Sequence, residues 1–523
     1  MTKACYQDYQ KSMKQNHVGL SRMIEVGLPE GWVITTLGEI STKLQYGWTT
    51  KADLEKGKIK LLRTTDITSG KVDWGKVPYC TQDPEDLEKY LLKPGDIVIS
   101  RAGSVGVSFL VTDADKDKGV FASYLIRFRP TEPIDRKYVY YFLKSPDYWA
   151  AIGASKSGIA VPNVNASKLA DVPFPLAPVN QQKRIVVEIE KQFSRLDEAI
   201  VSVKRVKANL KRYKAAVLKA AVEGKLTEQW RKEHPSVEPA EKLLQRILAG
   251  RYKKWEEAES AKMKARNKKP KDDRWKKRYK EPAQPDVTEL PLLPNGWAWV
   301  TVDQLAAAEP AAITDGPFGS NLKTEHYTSS GPRVIRLQNI GVAEFIDEKA
   351  HISEVHYVDL IKHSVEPNDI VIAALGQPAP KACLVPASVG NAIVKADCIR
   401  FRTSEPYVNP GYIMYSLNSD PTQKRTGKII HGIGRPRLNL GEIKSIALPL
   451  PPKDEQDSIF DEIERRLSLM REIDRQVEIM LERSQRLRQS ILKNAFSGQL
   501  VVQDAKGDFI SGPAFCSNGS SDA

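Results

Sequence analysis

An internal repeat constrains the fold of this chain more than any other feature. The stretch "LPEGWVITTLGEI" at 28–40 returns as "LPNGWAWVTVDQL" at 293–305, so that Gly31 and Gly296 stand 265 residues apart. Further matches keep a nearly constant spacing: "GDIVIS" and "NDIVIA" lie 273 residues apart, and "SGIAVPNVN" and "HGIGRPRLN" lie 274 apart. So constant a spacing indicates a duplication rather than chance. We therefore expect one module to occur twice.

Each copy mixes strand and helix signals. "GDIVIS", "LIRFRP", "NDIVIA" and "CIRFRT" are typical of short buried strands, whereas "RKYVYYFLKS" and "GYIMYSLNS" predict short helices with aromatic side chains on the core side. The predicted class is α+β: two pseudo-symmetric globular α/β domains separated by two long helices that form an antiparallel coiled coil. The repeat spacing changes by eight residues between Trp32 and Arg63, which places the difference between the copies in a loop.

A long helical pattern follows each domain, and Gly224 and Gly498 mark the predicted helix ends. Apolar residues recur every seven positions with charges between them, which predicts a coiled-coil seam. The predicted pairing residues are Ile189, Leu196, Val203, Leu210, Val217, Ile463, Met470, Val477 and Ile491. A second row is predicted to join the seam: Phe193, Ile200, Val206, Tyr213, Ile473, Met480 and Leu487. Antiparallel pairing would hold the two domains at opposite ends of a strut about 60–65 Å long. Two unrelated surface helices are the alternative.

The predicted organisation has seven segments. They are an N-terminal extension at 1–27, a first domain at 28–178, a first long helix at 179–230, a basic linker at 231–290, a second domain at 291–452, a second long helix at 453–502 and a tail at 503–523. The chain has a formal charge of +14, which favours a polyanionic partner. Residues 251–280 hold 14 Lys and Arg against 5 Asp and Glu, interleaved with Trp and Tyr. This stretch fits a phosphate-contacting arm or a solvated linker equally well.

Catalytic motifs are not recognised in the sequence. "GKVDWGKV" at 70–77 begins like a nucleotide-binding P-loop, but Val77 stands where a Mg²⁺-binding hydroxyl is required. The seven histidines form no zinc-binding spacing, and neither a hydrolase elbow nor an adenine-methyltransferase tetrapeptide is present. The five cysteines are scattered and no apolar run reaches about 20 residues, so a cytoplasmic binding protein without a metal site is expected.

The combined motifs resemble one family. LPxGW openings, "DGPFGSNLK", the "GDIVIS" strand, the "SGI…N" turn and "PLxPxxxQxxI" before a long helix ending "LKAAVEGKL" are together similar to the specificity subunit of type I restriction-modification enzymes. The resemblance runs from about residue 28 to 502. It implies a non-catalytic chain with two target recognition domains that each read half of a bipartite, asymmetric DNA site, while the helices fix the gap.

The resemblance also implies partners. Two methyltransferase subunits would carry S-adenosylmethionine, and two motor-nuclease subunits would use ATP and Mg²⁺, with no cofactor bound by this chain. A coiled-coil scaffold that binds only protein, or a complete DNA-processing enzyme with unrecognised motifs, remains open.

Candidate DNA-binding residues come from polar and basic loop positions. In the first domain they are Tyr46, Trp48, Lys51, Arg63, Arg101, Lys156, Asn163 and Asn165. In the second domain they are Lys323, Arg336, Gln338, Gln377, Lys428, Arg435, Arg437 and Asn439. Arg63 and Arg336 occur in both copies, so a structural or phosphate-binding role fits them as well as base reading does.

Overall fold

The structure is a computed structural model that describes residues 27–154, 163–266, 272–376, 379–430 and 437–502. The chain forms two compact units: residues 1–204 with 478–523, and residues 205–477. Each unit holds one mixed α/β domain, the beginning or end of the first long helix, and the complementary part of the second. The predicted fold class is confirmed by these elements.

The described residues of the first unit form ten strands and five short helices. The strands are β1 (Val33–Thr36), β2 (Gln45–Tyr46), β3 (Ala52–Asp53), β4 (Lys60–Leu62), β5 (Tyr79–Cys80), β6 (Ile97–Ser100), β7 (Ser108–Leu110), β8 (Gly119–Phe121), β9 (Leu125–Phe128) and β10 (Pro173–Leu176). The helices are α1 (Thr64–Ile67), α2 (Leu87–Tyr90), α3 (Arg136–Phe142), α4 (Pro146–Ala154) and α5 (Ala166–Ala170), with a 3-10 turn at Asp113–Asp115.

Strand β6 lies between two hydrophobic cores of this unit. It lies inside the antiparallel sheet β2–β9–β6–β7, while β3–β5–β4–β8 forms a second sheet in which β4 and β8 are parallel. Ile97 and Ile99 of β6 face the core shared with α3 and the long helices, and Val98 faces the core of the second sheet. Side chains alternate along a strand, so the continuous apolar run "IVIS" serves both layers.

The second unit contains the remaining strands and most of the remaining helices. The strands are β11 (Ala298–Thr301), β12 (Ile313–Asp315), β13 (Tyr327–Ile335), β14 (His351–Ile352), β15 (Ser364–Val365), β16 (Ile370–Ala373), β17 (Lys381–Leu384), β18 (Ala392–Val394), β19 (Cys398–Phe401) and β20 (Ala447–Leu450). Its domain helices are α9 (Glu354–Asp359), α10 (Pro410–Asn418), α11 (Asp420–Gly427) and α12 (Leu440–Ser445). Short 3-10 turns lie at Asp303–Leu305, Gly319–Asn321, Thr324–His326, Leu337–Asn339, Ile361–His363 and Ala387–Val389.

The second domain repeats the sheet pattern of the first. Its sheets are β12–β19–β16–β17 and β14–β13–β18–β15, with β13 and β18 parallel. A two-stranded sheet closes each domain, β1 with β10 in the first and β11 with β20 in the second. Strand pairing thus follows the repeat found in the sequence.

Buried hydrogen bonds repeat as faithfully as the strands. The Tyr138 hydroxyl donates to the Pro175 carbonyl at 2.8 Å, and the Tyr412 hydroxyl donates to the Pro449 carbonyl at 2.9 Å. In the same way Arg129 binds Asp96 with two nitrogens, and Arg402 binds Asp369 with two. Two-point arginine–carboxylate contacts fix geometry strongly, so the scaffold of the module was kept after duplication.

The two long helices are α6 (Val179–Val222) and α13 (Lys453–Phe496), each 44 residues long. In the first unit the beginning of α6 packs against the end of α13: Ile189 shares a core with Ile491, and Arg488 lies over the Phe193 ring and pairs with Asp197. In the second unit the end of α6 packs against the beginning of α13, with Val217 and Ile463 in one core. The helices therefore pair antiparallel within each unit.

The seam positions differ in burial along the helices. Ile189, Leu196, Val217, Ile463, Met470, Val477 and Ile491 are buried, while Val203 and Leu210 are half-buried. The helices end at Val222 and Phe496, just before the positive-φ residues Gly224 and Gly498, which confirms the predicted ends.

Most of the second apolar row does not join the seam. Tyr213 is 47% exposed, Leu487 is 48% exposed and Met480 is 52% exposed, and Val206 and Ile473 are exposed as well. For these five residues the predicted place in the seam is wrong, because one facing helix covers only a single narrow stripe of its partner. Phe193 and Ile200 are half-buried, and Phe193 lies under Arg488 of the facing helix. An apolar row is left on the helix surface.

The basic linker folds onto the second domain. It contains α7 (Glu228–Glu233), α8 (Ala240–Ala265) and a 3-10 turn at Asp273–Arg278. Leu243 and Ile247 of α8 are buried in the core that includes Leu305, and the Arg251 guanidinium donates to the Asp303 carbonyl. The described part of the linker therefore packs onto this unit.

Candidate nucleic-acid interface

Three segments of the first domain meet beside the end of strand β2. Ala102, just after β6, forms a backbone bridge to Asn163, and the amide of Gly47 donates to the Leu125 carbonyl at 3.2 Å. A Cβ on Gly47 would lie 2.2 Å from the Phe121 carbonyl oxygen, so only glycine fits this close approach. The junction is thus built by tight backbone contact.

An arginine lies on an aromatic ring at this junction. The Arg101 guanidinium lies 4.8 Å from the Tyr46 ring centre, and the Tyr46 hydroxyl accepts a hydrogen bond from the Ala166 amide at 2.9 Å. Tyr46 is 38% exposed. Arg101 Nε has no hydrogen-bond acceptor within the part of the chain that the structure describes. A ring and a cationic donor are therefore presented together.

The second domain builds the same junction. A Cβ on Gly316 would lie 2.1 Å from the Lys395 carbonyl carbon, and Leu375 bridges to Arg437 as Ala102 bridges to Asn163. The Arg437 guanidinium lies 5.3 Å from the centre of the Phe318 ring, which is 43% exposed, and Arg437 Nη1 is 3.2 Å from Asp397 Oδ1. This junction also presents an arginine on a ring.

Several predicted residues have their polar atoms engaged inside the domain. The Asn165 and Asn439 side chains cap α5 and α12, accepting from the Lys168 amide at 2.8 Å and the Glu442 amide at 2.9 Å. The Trp48 indole donates to the Gln82 carbonyl at 2.9 Å, and its ring centre lies 5.4 Å from that of Tyr90. These contacts give the three residues a structural role, and their role in DNA binding stays a prediction.

The two arginines common to both copies occupy equivalent helix-start positions. Arg63 donates two hydrogen bonds to Asp66, at 2.9 and 3.1 Å, and this contact raises the pKa of the guanidinium. Arg336 lies 3.7 Å from Glu348, and it donates to the Gln338 oxygen at 3.0 Å once the Gln338 amide is turned so that its oxygen faces the guanidinium. Both guanidinium groups are thus held by neighbours on their own domains.

The remaining candidates do not join the two junctions in one cluster. Lys51 and Lys323 are exposed, with Lys323 Nζ 3.4 Å from Glu325, and Lys428 pairs with Glu289 at 3.0 Å. The candidates Lys156, Gln377 and Arg435 lie outside the described residues. Tyr46, Arg101 and Asn163 are brought together in the first domain, and Arg437 contributes to the second junction.

The aromatic side chains of the basic linker face one another. Trp255 stacks on Trp275 with ring centres 5.8 Å apart, and Tyr279 contacts both Tyr252 and Trp255 at 5.1 and 5.2 Å. Glu256 pairs with Lys276 at 2.9 Å on the same side. The rings therefore hold α8 against the 3-10 turn at Asp273–Arg278, and we call this pair of segments the basic hairpin. Since the rings contact one another, the charged side chains rather than the ring faces are left to contact a partner.

Six cations of the hairpin are exposed and form no ion pair with any residue that the structure describes. They are Lys253, Lys254, Lys264, Arg266, Lys277 and Lys280. A cluster of this kind attracts a polyanion through long-range, salt-sensitive forces.

The described ranges contain no group of three or more potential metal ligands, and none of their helices is long and apolar enough to cross a membrane. Burial raises the pKa of the Cys80 thiol to about 11 and those of Cys383 and Cys398 to about 12, which suits unreactive core residues. Val77 of the P-loop-like stretch is buried, and no helix follows it.

Sequence reasoning missed two aromatic residues at the junctions. Phe318 lies under Arg437, and Tyr124, which is 62% exposed, accepts the Arg101 amide through its carbonyl at 3.0 Å. Phe318 could have been found from its position two residues after Gly316, in a loop where a glycine permits close backbone approach. Finding it required matching Gly316 to Gly47 in the first copy, and the insertion in this loop obscures that match.

Comparison with known proteins shows what the chain is similar to. Residues 29–212 match the model of the type I restriction modification DNA specificity domain. The chain is 23% identical to the EcoBI specificity subunit of Escherichia coli, over 86% of this chain and 81% of that protein. It is also 23% identical to the EcoKI specificity subunit of E. coli strain K12, over 91% of this chain and 90% of that protein.

A solved structure supports the fold. It comes from a study of complex assembly and conformational transition of the type I R-M system, and it covers 90% of this chain and 99% of its own, with a TM-score of 0.57 and 16% identity. Over most of its length the chain is similar to type I restriction-modification specificity subunits, and it shares the fold of the solved structure.

Proposed function

We propose that this chain is the non-catalytic DNA-reading subunit of a type I restriction-modification complex in the cytoplasm. Each domain reads one half of a bipartite, asymmetric site, and α6 with α13 fixes the gap between the halves. The observation that carries the proposal is the contrast between an identical framework and different junction residues. Tyr138 and Tyr412 keep the same buried bond, whereas Arg101 has Ala374 as its counterpart.

The contrast has a physical reason. A framework must hold its backbone in place whatever DNA is read, so its hydrogen bonds are under the same constraint in both copies. Base-reading residues must match the donor and acceptor pattern of particular base pairs, so they diverge when the two half-sites differ. A protein-binding scaffold would give no reason for divergence that is concentrated at polar, cationic junctions.

Partner subunits supply the chemistry in this proposal. Methylation of a base within a duplex requires the base to leave the stack, and this chain would hold the duplex during that step. Two methyltransferase subunits would bind S-adenosylmethionine, and two motor-nuclease subunits would use ATP and Mg²⁺. Within the first unit, the exposed side chains of Met480 and Leu487 on one helix offer an apolar contact for an amphipathic helix of a methyltransferase subunit.

The test is to map methylated adenines in DNA from cells with and without this chain. We expect one bipartite motif to lose methylation when the chain is removed and to regain it when the chain is restored. A chain in which residues 41–157 are replaced by those of a relative should change one half of the motif and leave the other half unchanged. The proposal is wrong if removal changes no motif, and independent reading is wrong if both halves change together.

A further inference from the structure

We propose that the arginine lying on an aromatic ring in each domain reads a guanine in the major groove, Arg101 in one half-site and Arg437 in the other. This inference rests on the proposed function and deepens it, because it names the base that each junction recognises. Neither arginine is needed for the framework bonds that the two domains share.

Backbone contacts define which positions of the two junctions are equivalent. The amide of Arg101 donates to the Tyr124 carbonyl at 3.0 Å, and the amide of Ala374 donates to the Asp397 carbonyl at 3.0 Å. The amides of Val164 and Leu438 donate to the carbonyls of Arg101 and Ala374, at 3.1 and 2.9 Å. Arg101 thus corresponds to Ala374.

The second arginine comes from a different segment. Arg437 bridges Leu375 as Asn163 bridges Ala102, so Arg437 corresponds to Asn163. The rings also differ in origin: Tyr46 pairs with Ile126, and its counterpart Asp315 pairs with Ile399, whereas Phe318 lies three residues beyond Asp315.

An arginine on a ring has therefore been placed at both junctions from non-equivalent positions. A contact inherited from the ancestral domain would lie at equivalent positions in both copies. The pair of Asp96 with Arg129 and the pair of Asp369 with Arg402 do so. An arginine on a ring that occurs at the same junction in both domains, but is formed by non-equivalent residues, indicates that function requires it there. The place itself, where three segments meet beside exposed rings, is shared by both domains.

The chemistry of a held guanidinium favours guanine. The ring keeps the planar guanidinium in one orientation, and in the second domain one of its nitrogens also lies at an ion-pair distance of 3.2 Å from Asp397 Oδ1. A preoriented fork of N–H donors matches the O6 and N7 acceptors of guanine, and this is the commonest specific contact that arginine makes in the major groove. The same fork also matches a phosphate, but a phosphate contact carries no sequence information, so the two roles differ in their dependence on the base.

The experiment uses the chain assembled with its methyltransferase subunits and duplexes that carry the mapped site. Each guanine is replaced in turn by 7-deazaguanine, which lacks the N7 acceptor, and binding is measured for the wild type and for Arg101→Lys and Arg437→Lys. Lysine keeps the charge but loses the two-point fork. Lys116→Gln and Lys349→Gln remove an exposed cation elsewhere on each domain and serve as matched controls.

We expect one 7-deazaguanine position in each half-site to weaken wild-type binding by about 5- to 150-fold. That sensitivity should vanish for the first half-site in Arg101→Lys and for the second half-site in Arg437→Lys, while the controls keep both. Phe318→Leu should lose much of the second-half discrimination, and Phe318→Tyr should keep it. Thermal melting of each variant checks that the fold is intact.

Two results would overturn the inference while leaving the proposed function standing. One is a lysine variant that retains full sensitivity to every 7-deazaguanine. The other is an Arg101→Gln variant that loses affinity equally for all sequences with a shallower salt dependence, which identifies a phosphate contact. Absence of any sequence preference in the wild-type complex would instead refute the proposed function itself.

Discussion

A buried carboxylate in the second unit gives a sharp test of how the duplicated framework diverged. Glu455 is 0% exposed and accepts hydrogen bonds from the Trp297 indole at 2.9 Å and the Thr227 hydroxyl at 2.6 Å, and it pairs with Arg231. In the first unit Gln181 takes the same place and accepts from the Trp32 indole at 2.7 Å. One framework position thus holds a charge in one copy and a neutral amide in the other.

Removal of either charged partner should destabilise the second unit. Arg231→Met leaves a buried carboxylate without its cation, which costs about 3–5 kcal/mol. Glu455→Gln keeps an acceptor for Trp297 but removes charge-assisted bonds, and the partly exposed Arg231 regains some hydration, so about 1.5–3 kcal/mol is expected. The double variant resembles the Trp32–Gln181 arrangement. Its remaining cost should be about 1 kcal/mol, from the lost hydrogen bond between Arg231 and the Gly224 carbonyl.

Hydrogen exchange measured by mass spectrometry suits this test, because a chain with two units does not unfold in a single step. The opening free energy is read from peptides that cover β11 and the beginning of α13. Gln181→Glu is the matched control: it places a carboxylate in the first unit opposite the Trp32 indole, and it should destabilise at least as much as Arg231→Met. Additive losses in the double variant would refute the reasoning, since coupled partners must show a large interaction energy.

Two further predictions concern the helices and the basic hairpin. Seven residues inserted at matched positions in both α6 and α13 lengthen the helix pair by about 10.5 Å and should lengthen the gap in the methylated motif by about 3 base pairs; an unchanged gap would contradict the spacing role. Replacement of the six exposed cations of the basic hairpin, from Lys253 to Lys280, by Gln should make the slope of log K for DNA binding against log salt concentration shallower by about 0.9 per lost phosphate contact, without changing the motif. Replacement of the lysines by Arg should preserve the slope. An unaltered slope in the Gln variant would leave the hairpin as a linker only.

The scaffold was predictable from the sequence because its signals are local. The apolar run "IVIS" predicts a strand buried on both faces, and Ile97, Val98 and Ile99 of β6 are buried on both faces. Gly224 and Gly498 predict helix ends because a positive φ stops a helix without steric strain. Repeat spacing then carries these predictions from one domain to the other.

The use of polar residues could not be predicted in the same way. An asparagine at a helix start and an asparagine that reads a base use the same amide group, so Asn165 and Asn439 satisfied both patterns until their caps were located. Likewise, an apolar row beside a seam can be buried or exposed, and the outcome depends on how many helices pack there. The sequence left the linker open between a phosphate-contacting arm and a solvated linker, and it did not predict that Trp255 and Trp275 stack on each other.

The duplication separates two kinds of constraint that a single domain would leave mixed. Contacts present in both copies, such as the bond from Tyr138 to Pro175 and its counterpart, are needed to hold the backbone. Differences at equivalent positions, such as Arg101 against Ala374, are free to follow the DNA. Because the arginine moved between segments while the tight glycine contacts stayed, the junction tolerates a change of residue at each of its positions without rebuilding the sheets. A new half-site specificity therefore requires only that a planar hydrogen-bond donor be held in a fixed orientation at this junction. We expect substitutions there to change the methylated motif while leaving the unfolding free energy of the domain nearly unchanged.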